Sequence, residues 1–259
     1  MYLPCPLPST SLVSLIQAPE YAKRALGLIE RIHCAKDAFA LVEMLRTATL
    51  VLGAENGVYV HAVPHERDGT ILRVLMACDP LWAYTYSSEY NLDRDPWLRY
   101  ARDHSEVVLV SELAGWPSVL GDQPSPEERF GCGSSVLLPT QCGGGTGRFG
   151  VLFLGARTPG WFEAEGTHLF RVLAHALSVQ LHSWWMKETR TQLLETAHLT
   201  ADDLRLLAWE RDGRGTKQIA VELGVSRSAV NSRFQRINSK LACPNRRLAA
   251  LRAATHGLL

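Results

Sequence analysis

The chain has 259 residues, 46% of them hydrophobic, and its 27 Lys and Arg nearly balance its 26 Asp and Glu, for a net charge of +1. This length and composition predict a globular protein of about two domains, and no apolar run reaches the ~18–20 residues that a membrane span needs. The six cysteines are scattered without metal-binding spacing, and no basic segment precedes the apolar residues of the N-terminus. These features argue against a disulfide framework, a zinc site and a secretory signal. We therefore expect a cytoplasmic protein with no metal and no cofactor.

The charge is distributed unevenly along the chain. Residues 199–259 hold eleven Lys and Arg against five Asp and Glu, a net charge of +6, so the other 198 residues carry −5. A basic block joined to an acidic body is typical of a nucleic-acid-binding domain attached to a domain with another task.

The region before this block predicts an α+β domain. Apolar side chains recur at helical spacing in residues 20–52, which predicts two helices, and Asp37 can cap the second. Five segments rich in β-branched and aromatic residues predict strands at 58–63, 71–76, 106–110, 134–139 and 149–154. A helix that carries Trp97 falls between the second and third strands, and a long helix is predicted over 162–194. The expected fold is an α-β-α sandwich around a short antiparallel sheet.

A glycine-rich segment imitates a nucleotide-binding motif. Gly145, Gly147 and Gly150 have the GxGxxG spacing, but a dinucleotide site needs a helix directly after the motif, and residues 151–154 predict a strand. We interpret the segment as the turn of a β-hairpin. The sequence also lacks GxSxG, HExxH and P-loop patterns, so it predicts no catalytic residues and no enzyme.

The basic block predicts a four-helix domain. Its helices are expected at about 201–211, 215–223, 227–241 and 245–256. Thr200 and Asp203 form a shortened capping box at the start of the first helix. Gly224 suits a left-handed turn before the third helix, and Ser226 can cap that helix.

The third of these helices has the pattern of a DNA-recognition helix. One face is apolar and consists of Val230, Phe234, Ile237 and Leu241. On the polar face, hydroxyls, amides and arginines can read base edges, and cations can bind phosphates. The predicted DNA contacts are Lys217, Arg227, Ser228, Asn231, Ser232, Gln235, Arg236 and Lys240. A structural four-helix subdomain with a solvated face is the alternative.

The final 61 residues resemble the DNA-binding domain of the LuxR family of bacterial regulators. The matching positions include Leu199, Trp209, Gly213, Ile219, Leu223, Gly224, Val225, Ser226, Val230, Asn231, Lys240, Leu241 and Arg246. Asp203 occupies a position where the family usually has Glu, and Ala229 occupies one where it usually has Thr. The resemblance implies a helix-turn-helix domain at 199–259, a linker at 191–198, and a ligand-sensing and dimerisation domain at 1–190.

The first domain resembles the autoinducer-binding domain of quorum-sensing LuxR proteins. The resemblance rests on Trp82, on Tyr86 four residues later, and on Asp95 with Pro96 nine residues after that. It implies an N-acyl homoserine lactone or a related small apolar signal. Trp82 would then donate its indole N–H to the lactone carbonyl, Asp95 would accept the ligand's amide N–H, and Tyr86 would line the pocket. The alternative is structural, with the two rings in the core and Asp95 as a helix cap.

Several expected pocket positions depart from the pattern of that family. Cys78 stands where a Tyr is common, and Val110 where a Trp is frequent. Phe153 replaces a Ser or Thr, and Ser135 replaces a Gly. An unpaired ligand carbonyl costs ~1–3 kcal/mol when buried. A different acyl chain, a non-lactone signal and an empty pocket therefore all stay open.

The sequence as a whole predicts a ligand-responsive transcription regulator. We expect a homodimer on a pseudopalindromic duplex operator, because each helix-turn-helix reads one half-site. The long helix at 162–194 is the expected dimer seam, and no membrane partner is expected. One alternative is a ligand-independent LuxR-type regulator whose N-terminal domain is a closed dimerisation body. Another is an enzyme with a regulatory DNA-binding tail.

Overall fold

The computed structural model describes residues 11–65, 69–78, 95–113, 131–142 and 147–259. These residues divide into two compact units, each with its own hydrophobic core. The first unit holds most of the described residues up to Trp184, and the second holds residues 185–259 with 63–65, 69–71 and Gly147. In the described ranges, no helix combines the length and apolar character needed to cross a membrane.

The first unit begins with helices. They are α1 (Leu12–Ile16), α2 (Tyr21–Arg31) and α3 (Ala38–Leu52), with a 3-10 turn at Ile32–Cys34. The predicted cap is confirmed, because Asp37 Oδ1 accepts the backbone N–H of Ala40 at 2.8 Å. Gly53 ends α3 with a φ of 91°, in the left-handed region that favours glycine.

Five strands form one sheet, as predicted. They are β1 (Asn56–His65), β2 (Gly69–Ala77), β3 (Val108–Leu109), β4 (Ser134–Gln141) and β5 (Phe149–Ala156). Their order across the sheet is β2-β1-β5-β4-β3, and the pairs β1–β5, β5–β4 and β4–β3 are antiparallel. β3 is shorter than predicted because Val110–Glu112 forms a 3-10 turn. The hairpin is confirmed, since β4 pairs with β5 and the residues that follow Gly147 form a strand rather than a helix.

Two further helices complete this part of the chain. They are α4 (Pro96–Asp103) and α5 (His168–Ala197). α5 begins later than predicted, because Gly166 has a φ of 83° and residues 162–166 form turns. At its other end, α5 continues through most of the predicted linker, so residues 191–197 are helical. The cause is packing, because Leu193 and Ala197 are buried in the core of the second unit. The domain boundaries themselves stay a prediction.

The second unit contains the four predicted helices. They are α6 (Ala201–Arg211), α7 (Thr216–Leu223), α8 (Arg227–Lys240) and α9 (Arg246–Thr255). The capping box is confirmed, since Thr200 Oγ1 accepts the N–H of Asp203 and the Asp203 carboxylate accepts the N–H of Thr200. Gly224 has a φ of 63° at the end of α7, as the predicted turn requires.

Candidate DNA interface and ligand site

Helix α8 is fixed in orientation by its apolar face and its cap. Val230, Phe234 and Ile237 are buried in the core of the second unit. Ser226 caps the helix, with its Oγ accepting the backbone N–H of Ala229 at 3.1 Å. Because the buried face is anchored in this way, the opposite face of α8 is held towards solvent.

The predicted DNA contacts lie at the surface. All eight are exposed: Lys217, Arg227, Ser228, Asn231, Ser232, Gln235, Arg236 and Lys240. The six from 227 to 236 repeat at spacings of one and four residues, so they share one face of α8. The structure therefore brings together the hydroxyl, amide and guanidinium groups that the sequence assigned to base and phosphate contacts. Their contact with DNA stays a prediction.

Lys240 also has a partner within its own domain. Its Nζ donates to Asp203 Oδ2 at 2.6 Å and to the carbonyl of His198 at 2.9 Å. Burial raises the pKa of the Asp203 carboxyl, but hydrogen bonds from Lys240 and Thr200 outweigh this effect and hold that pKa below its usual value. Lys240 thus ties the end of α8 to the start of α6.

We expect Lys240→Met to lower the free energy of unfolding by about 1 kcal/mol, because it removes a partly buried ion pair and its hydrogen bonds. A carboxylate with a lowered folded-state pKa stabilises the fold above its unfolded pKa of about 3.9. The part of the stability difference that comes from the ion pair should therefore be full at neutral pH and be lost as pH falls through the folded pKa of Asp203, while the part from the hydrogen bond to the His198 carbonyl should remain. Chemical denaturation across a pH series measures it.

Lys217→Met is the matched control for this change. Lys217 is an exposed lysine on α7, so its replacement should leave the unfolding free energy within about 0.5 kcal/mol of wild type. A Lys240→Met variant as stable as Lys217→Met would contradict the structural role of Lys240.

Arg246 also joins elements within its own domain, and this role of its side chain was not predicted. Its guanidinium pairs with Glu210 at 3.0 Å, donates to Thr216 Oγ1 at 2.8 Å and lies 5.4 Å from the centre of the Phe234 ring. One side chain at the start of α9 therefore contacts α6, α7 and α8. The basic character of the C-terminal block had suggested only DNA binding, and part of that charge is structural.

In the first unit, one face of the sheet carries an apolar cluster. Cys78, Val110 and Phe153 are buried members of it, so the structure brings together three of the positions assigned to the ligand pocket. Trp97 of α4 stacks on Phe153, with ring centroids 4.7 Å apart and planes inclined by 14°. This stack was not predicted, because nothing in the local sequence joins a helix residue to a strand residue so far along the chain.

Asp95 has the structural role that the sequence offered as an alternative. It is 1% exposed, and its Oδ1 accepts the backbone N–H groups of Trp97 at 2.8 Å and Leu98 at 3.3 Å. It therefore caps α4, which begins at Pro96. A cap does not preclude a ligand contact by the same carboxylate, so its ligand role stays a prediction. Trp82 and Tyr86 lie outside the described residues.

Comparison with known proteins agrees with this arrangement. Residues 197–253 match the family of bacterial regulatory proteins described as the luxR family. The chain is 24% identical over 237 residues to the transcriptional activator protein SolR of Ralstonia nicotianae, an alignment that covers 88% of this chain and 95% of SolR.

Two solved structures have a similar fold. Escherichia coli SdiA has a TM-score of 0.72 at 15% identity, over 91% of this chain and 98% of SdiA. CepR2 from Burkholderia cenocepacia, described as an N-acylhomoserine lactone dependent LuxR family transcription factor, has a TM-score of 0.52 at 18% identity. That alignment covers 64% of this chain and 95% of CepR2.

An α+β unit followed by a helix-turn-helix domain defines a two-part DNA-binding transcription regulator. The second unit carries a domain of the luxR family of bacterial regulatory proteins, at residues 197–253.

Proposed function

We propose that this regulator responds to an N-acyl homoserine lactone or a related small apolar signal, as quorum-sensing regulators do. It acts in the cytoplasm as a homodimer and binds a pseudopalindromic operator. The DNA-binding part rests on a single observation about helix α8. Its apolar face is buried in the core, so its polar and basic face is exposed to solvent. Groups of this kind read base edges and phosphates in the major groove.

The DNA-binding part is tested on an operator selected by the wild type from a random duplex pool. We expect Asn231→Ala and Gln235→Ala each to cost ~1–3 kcal/mol of discrimination at the base pairs they read. Arg227→Ala should instead weaken binding to every duplex and reduce the salt slope by about one. Fluorescence anisotropy over a salt series measures both effects.

Arg211→Ala serves as the control, since Arg211 is an exposed arginine on α6 rather than on α8. Arg211→Ala should keep the wild-type preference for base sequence and the wild-type salt dependence of DNA binding. If the three α8 variants bind every duplex as the wild type does, α8 is not the recognition helix.

The apolar cluster on the sheet supports the ligand-binding part. It collects Cys78, Val110 and Phe153, and Asp95 lies at the start of the helix that supplies Trp97. CepR2 is described as dependent on N-acylhomoserine lactone, and SdiA has been described in complex with octanoyl-rac-glycerol. An apolar cluster beside the buried carboxylate of Asp95 suits a small molecule with an acyl tail and a polar head.

Thermal melts of the wild type with a panel of acyl homoserine lactones test this part. A ligand present at 100 times its Kd adds about 2.7 kcal/mol to the stability of the folded state. For a unit of this size, that corresponds to a rise in Tm of roughly 5 °C or more. A wild-type melt that no lactone raises would remove the sensor function.

An apolar stripe on α5 supports the dimer. Leu169, Val172 and Val179 are 38%, 65% and 41% exposed and recur at spacings of three and seven residues, so they share one helix face. A surface of this kind is stabilised when a second copy covers it.

A ligand-independent regulator is the second candidate function. The cap at Asp95 and the stack of Trp97 on Phe153 favour it, because both give structural roles to residues of the expected pocket.

A further inference from the structure

The stack of Trp97 on Phe153 occupies the middle of the apolar sheet face. Phe153 lies on β5, opposite Val58 of β1 and Leu137 of β4, so its ring projects from the centre of the sheet. Trp97 and Phe153 are 4% and 3% exposed. The two rings together therefore fill the space directly above the central strands.

The position of the Trp97 ring is held by its backbone. Trp97 is the second residue of α4, and its N–H donates to the buried carboxylate of Asp95 at 2.8 Å. The resemblance to autoinducer-binding domains implies that the same carboxylate accepts the ligand's amide N–H. A ligand whose amide binds Asp95 would thus have the start of its acyl chain near the indole of Trp97, which is two residues after Asp95 in the sequence.

The described residues that pack around the stack are apolar. Val58, Val60, Cys78, Val110 and Val151 belong to the same cluster and offer hydrocarbon or thiol surface. Such a lining suits an acyl tail rather than a polar one. The rings can limit the length of that tail, because a long chain that crosses the centre of the sheet between these described side chains has to separate them.

We infer that the Trp97–Phe153 stack is a specificity determinant that restricts the signal to a short acyl chain. The inference rests on the proposed function. In an open apolar tunnel each added methylene contributes roughly 0.8 kcal/mol, which is about a fourfold gain in affinity. With the stack in place, that gain in affinity stops after a short chain. Ligands with longer chains then bind with the same affinity as the short-chain ligand or with lower affinity.

Isothermal titration of butanoyl, octanoyl and dodecanoyl homoserine lactone tests the inference on the full-length protein. The wild type should bind the butanoyl compound at least as tightly as the octanoyl and dodecanoyl compounds. Trp97→Leu and Phe153→Leu remove one ring of the stack and keep apolar bulk. Each should raise the ratio of octanoyl affinity to butanoyl affinity by at least about tenfold. This is less than the full gain expected for the four added methylenes at roughly fourfold each.

Phe162→Leu is the matched control. Phe162 is a buried ring in the same unit, stacked on Phe170 with centroids 4.9 Å apart and planes inclined by 20°, and it is not part of the cluster on the sheet face. Phe162→Leu should lower thermal stability as the other two variants do. Its ratio of octanoyl affinity to butanoyl affinity should stay that of the wild type.

The outcomes separate the inference from the proposed function. A wild type that binds dodecanoyl more tightly than butanoyl, or folded variants with the wild-type ratio, would overturn the inference and leave the sensor function standing. If neither the wild type nor any variant binds a lactone of any length, both the inference and the proposed sensor function are wrong. The wild-type ranking alone decides the matter if a variant does not fold.

Discussion

Gly150→Ala is expected to lower the free energy of unfolding by about 3 kcal/mol, as overpacking and a broken buried hydrogen bond add together. A Cβ built on Gly150 would overlap the Tyr59 hydroxyl and lie 2.6 Å from His182 Nδ1. Both neighbours are buried, so neither can move into solvent to make room. Equilibrium denaturation in urea measures the change.

The neighbours of Gly150 form a buried polar chain between the sheet and α5. His182 Nδ1 lies 3.0 Å from the Tyr59 hydroxyl, and its Nε2 lies 2.7 Å from Cys142 Sγ. Burial, together with the charge of Arg148, lowers the pKa of His182 to about 4, so the imidazole is neutral at pH 7. A methyl group that pushes Tyr59 from His182 leaves polar atoms without partners in a buried place, where the cost is highest.

Gly27→Ala provides the control for backbone effects. Gly27 lies in α2, is exposed, and a Cβ there would meet no atom within 4 Å. This substitution should stabilise the protein by about 0.5–1 kcal/mol, because alanine loses less backbone entropy in a helix than glycine does. Equal effects of the two substitutions would mean that the Tyr59–His182 contact contributes nothing.

Local patterns predicted most of the elements. Caps such as Asp37, Thr200 and Ser226 satisfy the first N–H groups of a helix with side chains only three residues away, so the sequence contains both partners. Segments rich in β-branched and aromatic residues likewise identified all five strands. The error at the start of α5 had a local cause, because apolar residues from Phe162 imitate helical spacing while Gly166 adopts a left-handed conformation.

The contacts between distant residues were not predictable from the sequence. Tyr59 and His182 are 123 positions apart, and only the fold brings them together. The Asp95–Pro96 pair predicted either a ligand contact or a helix cap, and the hydrogen bonds to Trp97 and Leu98 identify the cap. Lys240 had the residue type of a phosphate contact, and the structure adds an ion pair with Asp203 that no spacing rule implies.

Phe234→Ala is expected to lower the stability of the second unit by about 3–5 kcal/mol, the usual cost of removing a buried phenyl ring. Phe234 is 3% exposed, and it packs in the core with Leu207 and Ile219 beneath the guanidinium of Arg246. Small domains have only a few kcal/mol of net stability, so a loss of this size leaves much of the second unit unfolded. DNA binding should then disappear, because α8 loses the face that orients it.

The same variant tests whether the two units fold independently, which the separate cores lead us to expect. Scanning calorimetry should lose the transition of the second unit and keep that of the first. Val221→Ala is the control, because Val221 is 77% exposed on α7 and its truncation should change stability by less than about 0.5 kcal/mol. If Phe234→Ala removed both transitions, the units would be one cooperative structure. If it left DNA binding intact, the core beneath α8 would not be what positions the recognition face.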